Sequence, residues 1–85
     1  MSRNYRTEYE FERIQKINSI KQNISCKLLK ARDREGLTQD QLAGFALVSR
    51  KTICEYEKGE CNMTVETLIK ISRALNMDIS DVIKE

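Results

Sequence analysis

A charged segment in the second half of the chain has the composition of a recognition surface. If this segment is helical, a step of about 100° per residue places Arg50, Lys51 and Glu55 on one polar face. The other side of the same helix carries Ile53 and Tyr56, which are suited to a hydrophobic core. A guanidinium, an ammonium and a carboxylate presented together can form hydrogen bonds with base edges in the DNA major groove.

The chain lacks the residue types that most enzymes and metal sites use. It contains no histidine, which excludes imidazole bases, histidine metal ligands and nucleophile-histidine pairs. Its three cysteines, Cys26, Cys54 and Cys61, are an odd number without a Cys-x-x-Cys spacing. The sequence therefore predicts reduced thiols, no metal site, no cofactor and no enzymatic activity. Cys54 is interpreted as an incidental surface residue, with a thiol switch as the alternative.

Composition and periodicity predict that helices position these residues. With 85 residues, no proline, three glycines and 6% aromatic residues, the chain favours one small all-α domain. Six apolar residues recur within a stripe about 120° wide, which indicates one long amphipathic helix ending at Gly36. The six residues are Ile14, Ile17, Ile20, Ile24, Leu28 and Ala31.

Four shorter helices are predicted, because four residues of the types that cap helix N-termini precede apolar periodic segments. The caps are Thr38, Ser49, Thr64 and Asp78. The first two of these helices are expected at about residues 38–46 and 49–58, and Gly59 closes the second. The predicted core residues are Leu28, Ala31, Leu42, Ala43, Ile53, Tyr56, Leu68, Ile69 and Leu75, and Val65 is also expected on the inner stripe of its helix.

The two helices at 38–46 and 49–58 have the spacing of a helix-turn-helix motif. A turn of three or four residues joins them, and Ala43 lies midway along the first helix. A side chain larger than a methyl group would push the second helix away at this point. The second helix would then present Arg50 and Lys51 near its N-terminus, where the helix dipole favours contact with phosphates and base acceptors.

Three stretches of the chain carry a resemblance to a known family. They are Gly36-Leu37-Thr38-Gln39-Asp40-Gln41-Leu42-Ala43, Val48-Ser49-Arg50-Lys51-Thr52-Ile53 and Tyr56-Glu57-Lys58-Gly59. Together with the continuation from Leu68 to Met77, they resemble the phage-repressor (Cro/cI, or Xre) helix-turn-helix family, without a gap, over residues 24–83. The resemblance implies a five-helix lambda-repressor-like DNA-binding domain that binds operator DNA, usually as a two-fold homodimer.

The resemblance also implies roles for individual residues. Gln39 corresponds to a family glutamine that contacts a phosphate, and Arg50, Lys51 and Glu55 correspond to the positions that read bases. Glu55 stands where the family often has glutamine or arginine. It is therefore expected either to accept a hydrogen bond from a cytosine amino group or to orient Arg50 or Lys51. For Arg50 and Lys51 the alternative is a solvated helix face.

Four further residues complete the predicted site. The resemblance implies an ion pair between Arg32 and Glu57, and we expect it to be partly buried. Ser49, the cap of the recognition helix, and Lys58 at its end are expected to contact phosphates. At the turn, Leu47 replaces the glycine usual in the family. If its backbone is left-handed, the β-carbon costs about 1–2 kcal/mol.

The first twenty residues lie outside the family pattern. We divide the chain into an N-terminal extension, residues 1–20, predicted to be helical and continuous with the first helix, and a helix-turn-helix domain, residues 21–85. The aromatic residues of the extension form either a flexible tail or an arm that folds onto a partner. They are Tyr5, Tyr9 and Phe11. A homodimer is expected through the stripe of Phe11, Ile14 and Ile17 or through Val82 and Ile83.

Charge distribution adds a constraint on the partner. Residues 1–36 carry nine basic and five acidic residues, whereas residues 60–85 carry three basic and five acidic ones. A polyanion should therefore meet the first two thirds of the chain. The longest uncharged run, from Gln41 to Ser49, is too short for a membrane span. The sequence predicts a cytoplasmic protein that binds double-stranded DNA.

These observations favour a sequence-specific transcriptional regulator, in the simplest case a repressor. The alternative is a protein-interaction module, such as an antitoxin or an anti-regulator, that binds a protein partner through the N-terminal extension. The controller protein of a restriction-modification system is a further alternative. A steep dependence of affinity on salt, measured with a palindromic duplex, favours the regulator over the interaction module.

Overall fold

The computed structural model describes residues 8–85, and its five α-helices confirm the predicted all-α fold. The helices are α1 Glu8–Glu35, α2 Gln39–Ala46, α3 Arg50–Lys58, α4 Val65–Ala74 and α5 Ile79–Ile83. The expectation for Tyr5 falls outside the described residues.

The four caps predicted from the sequence begin the four shorter helices. At α2, the Thr38 hydroxyl accepts a hydrogen bond from the Gln41 amide (3.1 Å), and the Gln41 side chain accepts one from the Thr38 amide (2.9 Å). The side chains of Ser49, Thr64 and Asp78 accept hydrogen bonds from amides in the first turns of α3, α4 and α5. These bonds satisfy amides that the helix itself leaves unpaired, so the local sequence determines where each helix begins.

Helix α1 is continuous over 28 residues, as the apolar stripe predicted, and is about 42 Å long. Its C-terminal half joins the core through Ile24, Leu28 and Ala31, whereas Phe11, Ile14 and Ile17 in the other half remain exposed. The N-terminal part of α1 therefore projects from the domain, and the described residues extend over 50 × 24 × 20 Å. Within residues 8–85, no helix combines the length and the apolar character needed to cross a lipid bilayer.

The core forms where α2 packs against α3 and α4, and where α1 packs against α3 and α5. Most of the predicted core residues are buried. They are Leu28, Ala31, Leu42, Ala43, Ile53, Tyr56, Leu68 and Leu75. Two expectations on α4 were wrong: Ile69 is only half-buried, and Val65 is exposed. The buried stripe of α4 instead runs through Leu68, Ile71, Ser72 and Leu75, because Val65 occupies the first helical position, where no other element covers it.

The burial of Val82 argues against one of the two predicted dimer surfaces, the one formed by Val82 and Ile83. Val82 is completely buried and only Ile83 is exposed, so these residues do not form a shared apolar face. The Lys27 ammonium of α1 donates hydrogen bonds to the carbonyl oxygens of Asp81 and Val82 and to that of Lys84. These contacts hold the C-terminal end of α5 against α1, and they fix Val82 within the core.

The turn between α2 and α3 is built on a left-handed leucine. Leu47 has φ 60° and ψ 43°, and its side chain is 83% exposed, so it gains little from burial. The amides of Leu47 and Val48 donate hydrogen bonds to the carbonyl oxygens of Gly44 (3.3 Å) and Ala43 (3.1 Å). These bonds satisfy the carbonyl groups at the end of α2 and offset the cost of the left-handed backbone.

Gly44 is a site at which the domain can be stabilised. It lies inside α2 without a positive φ, and a β-carbon added there meets no atom within 4 Å. We expect Gly44→Ala to raise the free energy of unfolding by about 0.5–1 kcal/mol, because alanine restricts the unfolded chain and favours the helix. Urea denaturation followed by circular dichroism measures the change.

Gly59 provides the matched comparison for this prediction. It has φ +73°, and an added β-carbon would lie 2.8 Å from Gln22 Nε2 and 3.1 Å from Ser25 Cβ. Gly59→Ala should therefore lower the free energy of unfolding. If both glycine substitutions shift stability in the same direction, the local backbone argument is wrong.

Candidate nucleic-acid interface

Helices α2 and α3 form the helix-turn-helix, and α3 has the two faces that the sequence predicted. Ile53 and Tyr56 are buried, and Arg50, Lys51 and Glu55 are exposed on the other side. The Tyr56 hydroxyl accepts a hydrogen bond from the Thr64 amide (3.0 Å), which connects α3 to the start of α4. The apolar side of α3 thus anchors the helix, and its charged side is available to a partner.

Ser49 caps the N-terminus of α3, and this end of α3 lies beside the N-terminal end of α2. Its hydroxyl accepts a hydrogen bond from the Thr52 amide at 3.1 Å. The remaining first-turn amides of α3 and its dipole create a positive end beside Arg50 and Lys51. An anion or a base acceptor would be favoured at this end of the helix.

Arg50 has a partner that the sequence did not predict. Its Nε lies 3.6 Å from Asp40 Oδ1 at the start of α2, and both side chains are about two thirds or more exposed (66% and 76%). An ion pair this accessible to water is weak, so the guanidinium can exchange Asp40 for another acceptor. Arg50 and Asp40 are ten positions apart in sequence and lie on different helices, so only the packing of α2 beside α3 brings them together.

Gln39 shares a groove with Arg50, and it lies beside the buried Glu57. The groove runs along the N-terminal ends of α2 and α3 and is also lined by Thr38 and Asp40. The Gln39 side-chain amide donates a hydrogen bond to Glu57 Oε1 at 2.9 Å. An amide nitrogen carries two protons, so this bond orients Gln39 and still leaves one proton for another acceptor.

Arg32 and Glu57 form the ion pair that the resemblance implied. Arg32 Nε donates to Glu57 Oε2 at 2.5 Å and Arg32 Nη2 donates to Glu57 Oε1 at 3.1 Å, with side-chain exposures of 20% and 8%. A further bond joins Arg32 Nη1 to the Leu37 carbonyl oxygen (2.8 Å). The hydrogen bonds to Glu57 raise the pKa of Arg32 above its ordinary value. The stability that this cation contributes is present below its ordinary pKa and is lost as the pH rises through the raised pKa, in strongly alkaline solution.

Two residues of α1 that no sequence motif indicates, Gln22 and Ser25, hold the C-terminal end of α3. The Ser25 hydroxyl donates to the Glu57 carbonyl oxygen (2.6 Å), and the Gln22 amide donates to the Lys58 carbonyl oxygen (3.1 Å). The last carbonyl groups of a helix have no partner within the helix, so these bonds stabilise its end. No signal near Ser25 in the sequence could have indicated a partner 32 positions away.

Glu55 and Lys58 lie toward the other end of α3 and do not join the groove that contains Gln39 and Arg50. They line a separate depression with Glu60 and Cys61. Lys58 is eight residues after Arg50, which corresponds to about 12 Å along the helix. The predicted site is therefore an elongated surface along α3, and an extended partner suits it better than a small ligand does.

Cys61, at the edge of this surface, lacks the features of a reactive thiol. Cys54 and Cys61 are half-buried, and burial raises the pKa of the Cys61 thiol. A raised pKa lowers the fraction of thiolate at neutral pH and makes the Cys61 sulfur less nucleophilic. Within residues 8–85, no three cysteine or carboxylate side chains come together as ligands for a metal ion.

Comparisons with known proteins agree with this geometry. A helix-turn-helix family model matches residues 28–82, which is more than half of the chain. The crystal structure of the clp gene regulator ClgR from Corynebacterium glutamicum is similar, with a TM-score of 0.69 and 27% sequence identity. The similarity covers 74% of this chain and 67% of the ClgR chain.

Curated relatives carry regulator names. A protein named as an HTH-type transcriptional regulatory protein of Methanococcus vannielii is 41% identical over 58 residues, which are 67% of this chain and 18% of the relative. This chain thus spans about a fifth of that relative's length. A protein named as an HTH-type transcriptional regulator of Archaeoglobus fulgidus is 36% identical over 59 residues, which are 69% of this chain and 84% of the relative. The chain therefore belongs to the Xre/Cro-like helix-turn-helix family of transcriptional regulators.

Proposed function

We propose that this chain is a cytoplasmic repressor that binds a palindromic operator as a homodimer, with α3 in the major groove. The observation that carries the proposal is the exposed charged face of α3, held against α1 and α2 by contacts on its other side. A firmly held helix with exposed polar side chains is what direct recognition of base edges requires. A repressor acts by occupying DNA that the transcription machinery needs, and a DNA-binding surface of this kind supplies that contact.

Arg50 and Lys51 are the proposed base-reading residues of the first turn of α3. The planar guanidinium of Arg50 can donate to the O6 and N7 acceptors of one guanine, whereas the Lys51 ammonium is a point charge that suits a base or a phosphate. Glu55, one turn further along, is placed to accept a hydrogen bond from a cytosine amino group. Base contact by Arg50 requires that Asp40 release it, which their exposed ion pair permits.

Gln39, Ser49 and Lys58 are the proposed phosphate contacts. Gln39 and Ser49 lie at the N-termini of α2 and α3, where amides and helix dipoles attract anions. Lys58 lies at the opposite end of α3, so these residues would hold the duplex on both sides of the base contacts. The Glu57 carboxylate, which accepts from Gln39, would keep the Gln39 amide in place during binding.

Titration of operator variants tests the proposal. Duplexes that bind the full chain are first selected from a random-sequence library and then varied one base pair at a time. We expect Arg50→Ala to relax the preference at one base pair in each half-site, which corresponds to about 1–3 kcal/mol of lost discrimination. Lys58→Ala should weaken binding to all variants alike and make the salt dependence shallower by about one unit of slope.

The exposed Arg73 at the end of α4 supplies the control for charge alone. Arg73→Ala removes the same charge as Arg50→Ala, and it should leave base preference unchanged. Equal loss of affinity for every duplex in Arg50→Ala would identify Arg50 as a phosphate contact. Failure to select any duplex would contradict the proposal as a whole.

The exposed apolar residues of α1 favour a second candidate function, a protein-interaction module. Phe11, Ile14 and Ile17 lie on the part of α1 that the domain does not cover. An antitoxin or an anti-regulator would use this surface to bind another protein. A duplex affinity that does not change with salt concentration would favour this second function over the repressor.

A further inference from the structure

We propose that the projecting part of α1 pairs antiparallel with the same segment of a second copy, with Ile14 at the two-fold axis. The inference refines the homodimer of the proposed function, and names its contact surface. In this arrangement Phe11 of one chain packs against Ile17 of the other. The pairing covers the apolar stripe that residues 8–85 leave in water.

The exposed stripe is continuous with the core-facing side of α1. Phe11 and Ile17 lie within about 60° of Ile14 around the helix axis, and the three side chains are 56%, 52% and 40% exposed. Ile20 is the first residue of the stripe that packs against the core of its own domain. Residues 11–17 can therefore pair with the same residues of a second copy, with Ile14 at the centre. The folded domain of each chain begins to cover the stripe only at Ile20.

Charge favours the antiparallel orientation over the parallel one. Residues 8–12 contain three glutamates and no basic residue, whereas residues 13–21 contain three basic residues and no acidic one. Parallel pairing would place the glutamates of both chains side by side. Antiparallel pairing instead places the acidic turn of each chain beside the basic turn of the other.

Lys21 is the basic residue best placed for this contact. It lies within about 20° of Ile14 around the helix, and Glu10 lies within about 40° on the same side. The other basic side chains of the segment lie further from Ile14 around the helix, Arg13 by about 100° and Lys16 by about 160°. The Arg13 guanidinium lies 4.8 Å from the centre of the Tyr9 ring, and Lys16 Nζ lies 2.9 Å from Glu85 Oε1. Glu10 would lie about 4.5 Å along the axis from Lys21 of the second copy, a distance that a lysine side chain can span.

The spacing of the two recognition helices agrees with the proposed operator. Contacts between α1 and the C-terminal part of α3 involve Gln22, Ser25 and Arg32, so α3 crosses α1 near residue 27. Residue 27 lies about 20 Å along α1 from Ile14. A two-fold axis at Ile14 would separate the C-terminal ends of the two copies of α3 by about 40 Å along α1, a distance comparable to the ~34 Å between successive major grooves.

The contact area predicts a weak dimer. Three partly exposed side chains offer apolar surface on the order of 300 Å² per chain, so the pair buries about half of what a stable interface needs. We expect a dissociation constant on the order of 10–100 μM without DNA, since interfaces below about 1,200 Å² are typical of weak, transient pairs. A palindromic duplex would strengthen the pairing by holding two chains together at a high effective concentration.

Sedimentation equilibrium of the full chain, without DNA, tests the surface. Ile14→Glu should raise the dissociation constant at least about tenfold, because it places two carboxylates at the axis. Leu29→Glu is the matched control, since Leu29 is exposed to a similar extent (43%) on the same helix but lies about 22 Å from Ile14 along the axis, beyond the projecting segment. A monomeric wild type at about 300 μM, or equal effects of the two substitutions, would overturn the proposal.

Charge exchange tests the orientation. Glu10→Lys alone should weaken an antiparallel dimer, because it places a second ammonium group beside Lys21 of the second copy. Combining Glu10→Lys with Lys21→Glu should restore the dimer. A dimer insensitive to these changes would overturn the antiparallel pairing. Duplex binding is measured separately. A chain that dimerises as described but selects no duplex would contradict only the proposed function. A chain that binds selected duplexes only as a monomer would contradict only the pairing.

Discussion

Replacing Ala43 with glutamate is expected to lower the free energy of unfolding by about 3 kcal/mol or more, which is sufficient to unfold a marginally stable domain of this size. Ala43 is 6% exposed, and it belongs to the core that α2 shares with α3 and α4. Glutamate would bring a carboxylate into this core and would also force the helices apart. Urea and thermal unfolding, followed by circular dichroism, measure the loss.

Phe45→Glu is the matched control for this substitution. It introduces the same charge two residues later in α2, at a side chain that is 65% exposed. We expect a much smaller change, of about 1 kcal/mol or less, since about two thirds of the Phe45 side chain is already in water. If Ala43→Glu unfolds at the same urea concentration as the wild type, the close contact of α2 with its neighbours must lie elsewhere.

Replacing Glu57 with alanine is the second change from which we expect a large effect, a loss of about 3 kcal/mol or more. It removes the acceptor of three hydrogen bonds, two from Arg32 and one from Gln39. The Arg32 side chain is only 20% exposed, so its charge would remain in a poorly solvated position. Arg32→Ala should have a similar cost, because it leaves the more deeply buried Glu57 carboxylate without its cation.

A double-mutant cycle of Arg32 and Glu57 separates this interaction from other consequences of the substitutions. We expect a coupling energy above about 1 kcal/mol, because the two side chains contact each other directly. The exposed pair of Glu66 and Lys70, with a distance of 3.6 Å on the surface of α4, should give a coupling energy close to zero. Equal coupling in the two cycles would show that burial does not strengthen the pair of Arg32 and Glu57.

The sequence by itself was sufficient for the features that depend on neighbouring residues. Hydrogen bonds between a cap and an amide two or three positions later begin α2 to α5, so Thr38, Ser49, Thr64 and Asp78 could be identified without a structure. The helical period also predicted the buried and exposed sides of α3. For the same reason the charged residues of the candidate site were identified from their order along the chain.

Tertiary structure decided the features that depend on residues far apart in sequence. The contacts of Arg50 with Asp40, of Gln39 with Glu57 and of Ser25 with the end of α3 arise only when α1, α2 and α3 pack together. The resemblance to a family indicated the pair of Arg32 and Glu57, but periodicity alone could not.

The burial of residues on α4 and α5 shows the same distinction between local sequence and tertiary packing. Helical period placed Val65 on the inner stripe and left Val82 available to a second copy, but the structure exposes the first and buries the second. Periodicity specifies the side of a helix that is apolar. The neighbouring helices determine how far along that side burial extends, because a side chain leaves water only where another element covers it.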